Sequence, residues 1–303
     1  LQAILAGNDL LDYPLEVKKS IARFKKAHAS GELTDERLNE SVRKILKTKY
    51  WMGLHAFSPL EKENLMADLN RPEDEVMNHK LVENSVTLVQ NKGEILPIRD
   101  LDKRKIAYVK LGTHINSAFV KRLNDYTQVD VIDSKNPAQL TQKLKGYNLV
   151  IFGFHTSLGA YADYRIPDED LNILNSVAKT HDVILDVFAS PYSLLKIDDF
   201  ENIEGVVVSY QNTELAQDIS AQMIFGAFDF KGMLPVNIND DFGVGYGLFQ
   251  SGIQRMGYSV PEAVGLDRFK LNRIDSIAQV VIDLAVRRGK TSLEIIKAEN
   301  RPP

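Results

Sequence analysis

The groups in this 303-residue chain that could do acid–base or metal chemistry are six histidines, at 28, 55, 79, 114, 155 and 181, and forty-one carboxylates. Cysteine is absent, which removes disulfides, thiol catalysis and cysteine-held metals. A zinc site needs three or four converging ligands, and no two of these histidines stand four apart on one helix, so no metal is expected. His155 stands out because it follows the apolar run Leu149–Phe154. That places it at the carboxyl end of a strand, the edge where open α/β sheets bind ligands. The plainer reading is a buried histidine bonded to a loop carbonyl. Cleaving a glycosidic bond takes two carboxyl groups facing one bond, roughly 5–9 Å apart. Asp163, Asp168, Glu169 and Asp170 cluster in a loop and a helix start, where negative charge opposes the helix dipole. Asp198 and Asp199 read as a solvated face. No acid/base pair is singled out among these residues.

Two glycine and serine patterns invite comparison with known motifs. Gly243, Gly245 and Gly247 form a G-x-G-x-G run, but a dinucleotide fingerprint must follow a strand and open a helix. Leu248-Phe249-Gln250-Ser251-Gly252 follows instead, so the run reads as a structural turn. No G-x-x-x-x-G-K phosphate loop occurs. Ser193–Lys196 is a Ser-x-x-Lys without its companion motifs, and carries no weight.

The elements that must position these groups fall into two patterns. Residues 1–54 read as strand, helix, helix. Ala6-Gly7-Asn8-Asp9 is a turn, and Leu10, Leu11 and Tyr13 make a short apolar strand stopped by Pro14. Val17, Ile21 and Phe24 stripe one helix up to Gly31. Thr34 caps a second, striped by Leu38, Val42, Ile45, Leu46 and Tyr50 up to Gly53. Residues 55–70 lack a period and read as a linker, and Asn70 and Pro72 open a third helix running to about Asn84.

From residue 86 apolar runs at Val86–Val89, Ile106–Leu111, Val129–Ile132, Leu149–Phe154, Val183–Phe188 and Gly205–Ser209 appear, the later ones separated by helical stretches 115–125, 137–145, 168–180, 191–200 and 213–226. Continuous apolar strands are buried on both faces, and helices between them make right-handed crossovers. A doubly wound, mostly parallel α/β sandwich follows. A glycine- and aromatic-rich stretch, 226–258, closes it. Residues 265–289 form one more amphipathic helix on Leu271, Ile274, Ile277, Val281 and Ala285, and the tail Thr291–Pro303 reads as linker or appended sequence.

Composition bounds the rest. Apolar residues are 44% and charged residues 26%, as in a globular protein of about two domains. A net charge of −4 offers no general pull toward nucleic acid or an anionic membrane, and no stretch approaches the roughly 20 apolar residues of a membrane span. Residue 1 is Leu and no signal-like segment precedes the first pattern, so the sequence reads as an excerpt from a longer chain.

Two segments together resemble glycoside hydrolase family 3. "LQAILAGNDLLDYP" with "GELTDERLNESVRKILKTKYWMGL" is similar to the family's last barrel strand and closing helices, through Ser41, Arg43, Ile45, Leu46 and Lys49. "LVENSVTLVQNKGEILPI" looks like the entry into its C-terminal domain. "FGAFDFKGMLPVNIN…GVGYGL" looks like the end of that domain, through Gly226, Gly232, Leu234, Pro235, Gly245 and Gly247. The resemblance implies a fragment of a (β/α)8 barrel over 1–54, a linker and helix over 55–85, the C-terminal α/β domain over 86–258, and the start of a following domain or tail over 259–303. It is nearest to bacterial β-N-acetylhexosaminidases fused to a β-lactamase-like serine hydrolase domain. Ser193 lies in the wrong domain to be that nucleophile.

The resemblance further implies hydrolysis of β-linked N-acetylhexosaminides, or β-glucosides, by a retaining mechanism. The aspartate nucleophile and the acid/base histidine would lie upstream of Leu1, so no catalytic residue falls in this chain, and the fragment alone would be inactive. Barrel active sites form at the carboxyl ends of strands. Tyr13 is then the one wall residue that the barrel part offers, while Asn8 and Asp9 serve the turn at the opposite end. His155 is the other candidate for the cleft. The implied partners are a carbohydrate substrate and the rest of the barrel, with no cofactor, no nucleic acid and no membrane span, in a periplasmic or extracellular setting. The rival readings are a non-catalytic flavodoxin-like binding or scaffold module and a nucleotide-dependent α/β enzyme. The missing phosphate loop argues against the second.

Overall fold

The structure, a computed structural model, describes residues 1–157, 159 and 163–287. It divides into two compact units, Leu1–Leu69 and the chain from Asn70 onward.

The first unit is helical: α1 (Gln2–Leu5), α2 (Val17–Ala29), α3 (Asp35–Trp51) and α4 (Leu65–Leu69). Thr34 caps α3 as its position predicts, its hydroxyl accepting from the Arg37 amide, and Gly31 follows α2 at φ +78°. Arg37 ties the N-terminal turn to α3. Its guanidinium donates to the carbonyls of Ile4 and Asn8, to Asp9 and to Ser41, and Ser41 donates to Asp9 at 2.7 Å. These bonds, with Lys44 beside them, hold the Asp9 carboxyl below its ordinary range.

The strand expected at Leu10–Tyr13 does not form. A strand is stabilised only by pairing, and no second strand exists among the described residues of this unit. Leu10 and Tyr13 are accordingly exposed. The stretch expected to be a featureless linker contains a 3-10 turn at Leu54–Ala56, entered through a left-handed Gly53, and the short α4.

The second unit opens with α5 (Pro72–Ser85), whose first turn carries proline and three acidic residues, Glu73, Asp74 and Glu75. Then come β1 (Thr87–Asn91), β2 (Ile106–Gly112), α6 (Ser117–Tyr126), β3 (Val129–Val131), α7 (Pro137–Lys143), β4 (Leu149–His155), α8 (Asp168–Ala178), β5 (Val183–Phe188), β6 (Gly205–Val208), α9 (Glu214–Ile224) and α10 (Arg268–Arg287). The six strands form one sheet in the order β1-β6-β5-β4-β2-β3, parallel throughout except for β1 at the edge. Every residue of β4, β5 and β6 is buried, as their unbroken apolar runs predict. Side chains alternate between two cores. Tyr108, Ile151, Phe188 and Val207 meet Phe119 of α6 and Ile219 of α9; Val109, Phe152, Leu185 and Val206 meet Leu140 of α7 and Leu174 of α8.

Two expected helices are modified. Residues 191–200 hold only a 3-10 segment, Pro191–Lys196; Asp199 then folds back to accept the Glu201 amide, an alternative to helix continuation. The last helix is observed as α10, starting after the left-handed Gly265, with Arg268 bridging Glu262 and Glu75. The tail 291–303 lies outside the described residues. No helix among the described residues is long and apolar enough to cross a membrane.

The closing stretch 226–258 packs on the sheet edge through missing side chains. A Cβ on Gly232 would sit 2.3 Å from the Ser85 carbonyl oxygen, and one on Gly247 would sit 2.2 Å from that of Gly232. This three-layer backbone contact lets Leu248 donate to the Leu88 carbonyl of β1 and Phe230 exchange hydrogen bonds with Gln250. Gly232→Ala is therefore expected to cost at least about 2–3 kcal/mol, because rigid backbone blocks the methyl group. Gly245→Ala, at φ +80° but facing open space, is expected to cost only about 1–2 kcal/mol. Denaturant melts of the two variants check the ranking, and equal stabilities would contradict the packing.

Candidate functional site at the carboxyl edge of the sheet

The chain leaves β2 through α6 to reach β3 on one side, then returns through α7 to β4 on the other. Such a reversal opens a crevice between the carboxyl ends of the two strands. Gly112 ends β2 with φ +74°, and a Cβ there would lie 2.2 Å from the His155 carbonyl oxygen. Only glycine lets the two strand ends close to this spacing. The crevice encloses about 370 Å³ and is lined by Gly112, Thr113, Phe154, Thr156, Asp163, Arg165 and Lys196, among others.

Its charged groups are paired. Arg165 grips Asp163 through two nitrogens, at 2.9 and 2.7 Å, and Lys196 lies 3.5 Å from Asp168. The Arg165 guanidinium holds the Asp163 carboxyl down at about 2, so Asp163 is a carboxylate at neutral pH and offers no proton. Asp170 accepts the Gly112 amide at 2.8 Å, and burial raises its carboxyl above the ordinary range. Thr156 donates to the Asp163 carbonyl and Ser193 to that of Tyr164, which fastens this loop to the sheet. The Ser193 hydroxyl is thus engaged in holding a loop, and Lys196 faces the crevice. Arranged this way, the crevice offers fixed acceptors and donors for hydroxyl groups.

His155 ends β4 and is fully buried on the α6/α9 face. Its ring stacks on Phe188 at 4.4 Å. Both nitrogens are bonded to side chains, Nε2 to the Tyr108 hydroxyl at 2.8 Å and Nδ1 to Asn212 Oδ1 at 2.7 Å. The amide of Asn212 is oriented by donating to the Ile115 carbonyl, and its oxygen also accepts from Gln217. An amide oxygen only accepts, so His155 carries its proton on Nδ1, and Tyr108 donates to Nε2 while accepting from Asn116. Gly153 makes this possible, since a Cβ there would stand 2.5 Å from His155 Nε2 and 2.8 Å from the Tyr108 oxygen. Burial pushes the imidazole down to about 4 and the Tyr108 phenol well up, so both are neutral near pH 7.

Of the two residues read from sequence, His155 therefore does not line the crevice: it is buried on the opposite face of the sheet from Phe154, satisfied by side chains rather than by a loop carbonyl. Tyr13 belongs to the other unit and is 82% exposed at φ +49°. Its partners Asn8 and Asp9 serve the turn, Asn8 donating to the Ala3 carbonyl. The residues that hold His155 (Tyr108, Asn116, Asn212 and Gln217) carry no sequence motif and are joined only by the fold. Arg165 and Lys196 were likewise invisible as crevice residues. Among the described residues, no group of three His, Asp or Glu side chains could hold a metal ion. Gly243–Gly247 forms a turn packed on Gly232, with no helix after it.

A second buried group lies nearby. Asp186 of β5, with no exposed surface, accepts from Ser209 and Ser220, and desolvation outweighs those bonds to push its carboxyl up to about 7.

Comparison with known proteins places this architecture. No protein-family profile matches the chain. A lysosomal beta glucosidase of Dictyostelium discoideum is 35% identical over 100 residues, 32% of this chain and 12% of that protein. A beta-N-acetylglucosaminidase/beta-glucosidase of Cellulomonas fimi is 28% identical over 108 residues, 35% of this chain and 19% of that protein. Among solved structures, beta-glucoside phosphorylase BglX matches 79% of this chain and 46% of its own, with a TM-score of 0.60 and 19% identity. A glycoside hydrolase family 3 beta-N-acetylglucosaminidase from Paenibacillus sp. str. FPU-7 matches 78% and 47%, with a TM-score of 0.57 and 18% identity. At that identity the two structures speak for the fold alone, and this chain spans less than half the length of each. The resemblance to glycoside hydrolase family 3 and the mostly parallel α/β architecture both stand.

The two buried groups give stability a pH signature. His155 contributes fully above about 6.5, the ordinary histidine value, and that contribution is lost as pH falls toward 4. Asp186 contributes fully below its ordinary 3.8, and its contribution is lost as pH rises through about 7. The opposed slopes offset each other between about pH 4 and 6.5. Asp186→Asn keeps a neutral group of the same shape, so its stability relative to wild type is expected to climb with pH between 4 and 7, by on the order of 3–4 kcal/mol. His155→Ala is expected to cost about 1–3 kcal/mol through orphaned Tyr108 and Asn212. Urea melts at several pH values check both, and a pH-independent offset for Asp186→Asn would mean that Asp186 is ionised throughout.

Proposed function

We propose that this chain is the C-terminal part of a glycoside hydrolase family 3 enzyme that cleaves β-linked N-acetylhexosaminides, or β-glucosides, with retention of configuration. In this reading residues 1–54 complete a (β/α)8 barrel, and residues 86–258 form the family's C-terminal α/β domain. The nucleophile and the acid/base group come from sequence upstream of Leu1. The observation that carries the reading is the 35% identical stretch shared with a beta glucosidase, in a chain that also presents family motifs in order from residue 1 to residue 258.

The geometry of the crevice supports this division of labour. Retaining hydrolysis takes a carboxylate nucleophile and a proton donor about 5 Å apart across the sugar. Asp163 is locked as a carboxylate by Arg165, His155 is buried and neutral, and Asp170 is engaged with the Gly112 amide. Asp163 and Arg165 suit gripping hydroxyls, while His155 and Asp170 hold the surrounding structure in place. Exposed Tyr13, on the segment assigned to the last barrel strand, is the wall residue that the barrel part itself offers. The same features would serve a non-catalytic binding module, and activity separates the two.

The chain alone is expected to leave aryl β-N-acetylglucosaminide and aryl β-glucoside at the buffer rate, because removing catalytic groups costs several orders of magnitude. The longer protein that contains it is expected to hydrolyse one of them with retention. A chromogenic assay of both proteins, with NMR of the first-formed anomer, makes the check. Turnover by the chain alone within about tenfold of the longer protein would place a catalytic pair inside these residues, with Asp163, Asp168 and His155 the first to mutate. An inactive longer protein would leave the binding-module reading.

A further inference from the structure

A second recess opens at the same edge of the sheet, two strands away from the crevice. It lies between α5 and the turn from β6 into α9, and encloses about 540 Å³, within the range of about 300–1,000 Å³ typical of small-ligand sites. Its chemistry differs sharply from that of the crevice. No Asp, Glu, Lys, Arg or His lines it, although such residues, histidine aside, make up 26% of the chain. The lining consists of amides, hydroxyls and aliphatic groups.

The backbone at this recess is strained. Tyr210 stands at φ +59°, and the Gln211 amide donates to the Ser209 carbonyl at 2.6 Å, closing a three-residue turn of the rare positive-φ kind. Such conformations persist only where surrounding contacts over-determine them, and they cluster at functional sites. Here the contacts are explicit. The Thr87 and Tyr210 hydroxyls share a hydrogen bond of 2.7 Å, with the Ser85 carbonyl accepting from Thr87 and the Met233 carbonyl lying 3.4 Å from the Tyr210 hydroxyl. Ser209 is drawn inward to Asp186. Gln211 follows the turn and is exposed, lining the recess together with Asn78 of α5. The side-chain amides of Asn78 and Gln211 bond no other described residue. Leu81 and Met233, 63% and 65% exposed, line the same recess.

We propose that this recess binds a neutral β-linked oligosaccharide, with Asn78 and Gln211 bonding its hydroxyl or acetamido groups and Leu81 and Met233 covering its C–H faces. The proposal rests on the glycosidase reading above and adds a sugar site separate from the charged crevice. The chemistry favours this class of ligand. An ionic ligand would be desolvated here without a counter-charge. A purely apolar ligand would leave the two amides unpaired. A sugar ring presents groups that both donate and accept, as a carboxamide does, alongside apolar C–H patches that match the aliphatic strip.

The test is titration of the full chain with N,N′-diacetylchitobiose and, separately, with cellobiose, followed by amide chemical shifts. The expected result is saturable shifts at residues 78–85 and 209–216, with whichever sugar binds more tightly defining the ligand. Asn78→Ala/Gln211→Ala should weaken binding at least about tenfold, through the loss of two hydrogen bonds to the sugar, with an unchanged melting temperature because both side chains are exposed. Tyr210→Gly supplies a second readout. Removing the ring that sets the turn should lower affinity, and because Tyr210 packs on the core and bonds Thr87 it should lower stability as well. Tyr210→Phe, by contrast, keeps the packing, loses the bond to Thr87 and should weaken binding with only a modest loss of stability. No shift with either sugar would overturn the proposal. So would shifts at the recess that the double variant leaves unweakened, or binding that Lys196→Ala abolishes and the double variant spares. An active longer enzyme whose recess shows no shifts would overturn this inference alone; an inactive longer protein would overturn the glycosidase reading.

Discussion

The carboxyl edge of the sheet depends on one buried hydrogen bond, between Tyr108 of β2 and His155 of β4, made over a glycine. Gly153 leaves the space in which the phenol and the imidazole meet. From His155 the bonds continue through Asn212 and Gln217 to the turn after β6 and to α9, and from Tyr108 through Asn116 to the start of α6. Each member is neutral and no buried polar atom of the network lacks a partner, which is the condition under which a polar network in a core stabilises one arrangement. The two strands that flank the switch point are thus held in register by the same residues that hold the loops above them.

The same logic of missing side chains operates at the far edge. β1 runs antiparallel to the rest of the sheet, and the closing stretch covers it because Gly232 lies against the Ser85 and Val86 carbonyls and Gly247 against Gly232. The motifs that suggested a family are, physically, the two halves of this contact. "NSVTLVQN" supplies the helix end and β1; "FKGMLP" and "GVGYGL" supply the glycines that approach it. Edge strands with unpaired backbone groups invite association, and the cover removes that hazard.

Two recesses on one edge therefore differ in chemistry, although both are made by loops after parallel strands. The crevice between β2 and β4 holds its charges in pairs, so its polar groups are fixed in direction. The recess beside β6 excludes charge. In the proposed reading both recesses take hydroxyl-rich ligands, at the edge where open parallel sheets bind them.

The sequence by itself determined the layered α/β architecture. Unbroken apolar runs such as Val183–Phe188 announce strands buried on both faces, and their alternation with helices leaves few topologies. It also placed His155 at a strand end, because the apolar run stops there. Leu10–Tyr13 shows the limit of such reading, since an apolar run becomes a strand only where another strand accepts its hydrogen bonds. Tertiary structure alone decided what His155 does. Tyr108, Asn116, Asn212 and Gln217 lie 39 to 62 positions away in sequence, and none carries a local signal. Only the fold brought them within bonding distance, and burial then fixed the protonation state of the imidazole, a quantity that no spacing of residues encodes.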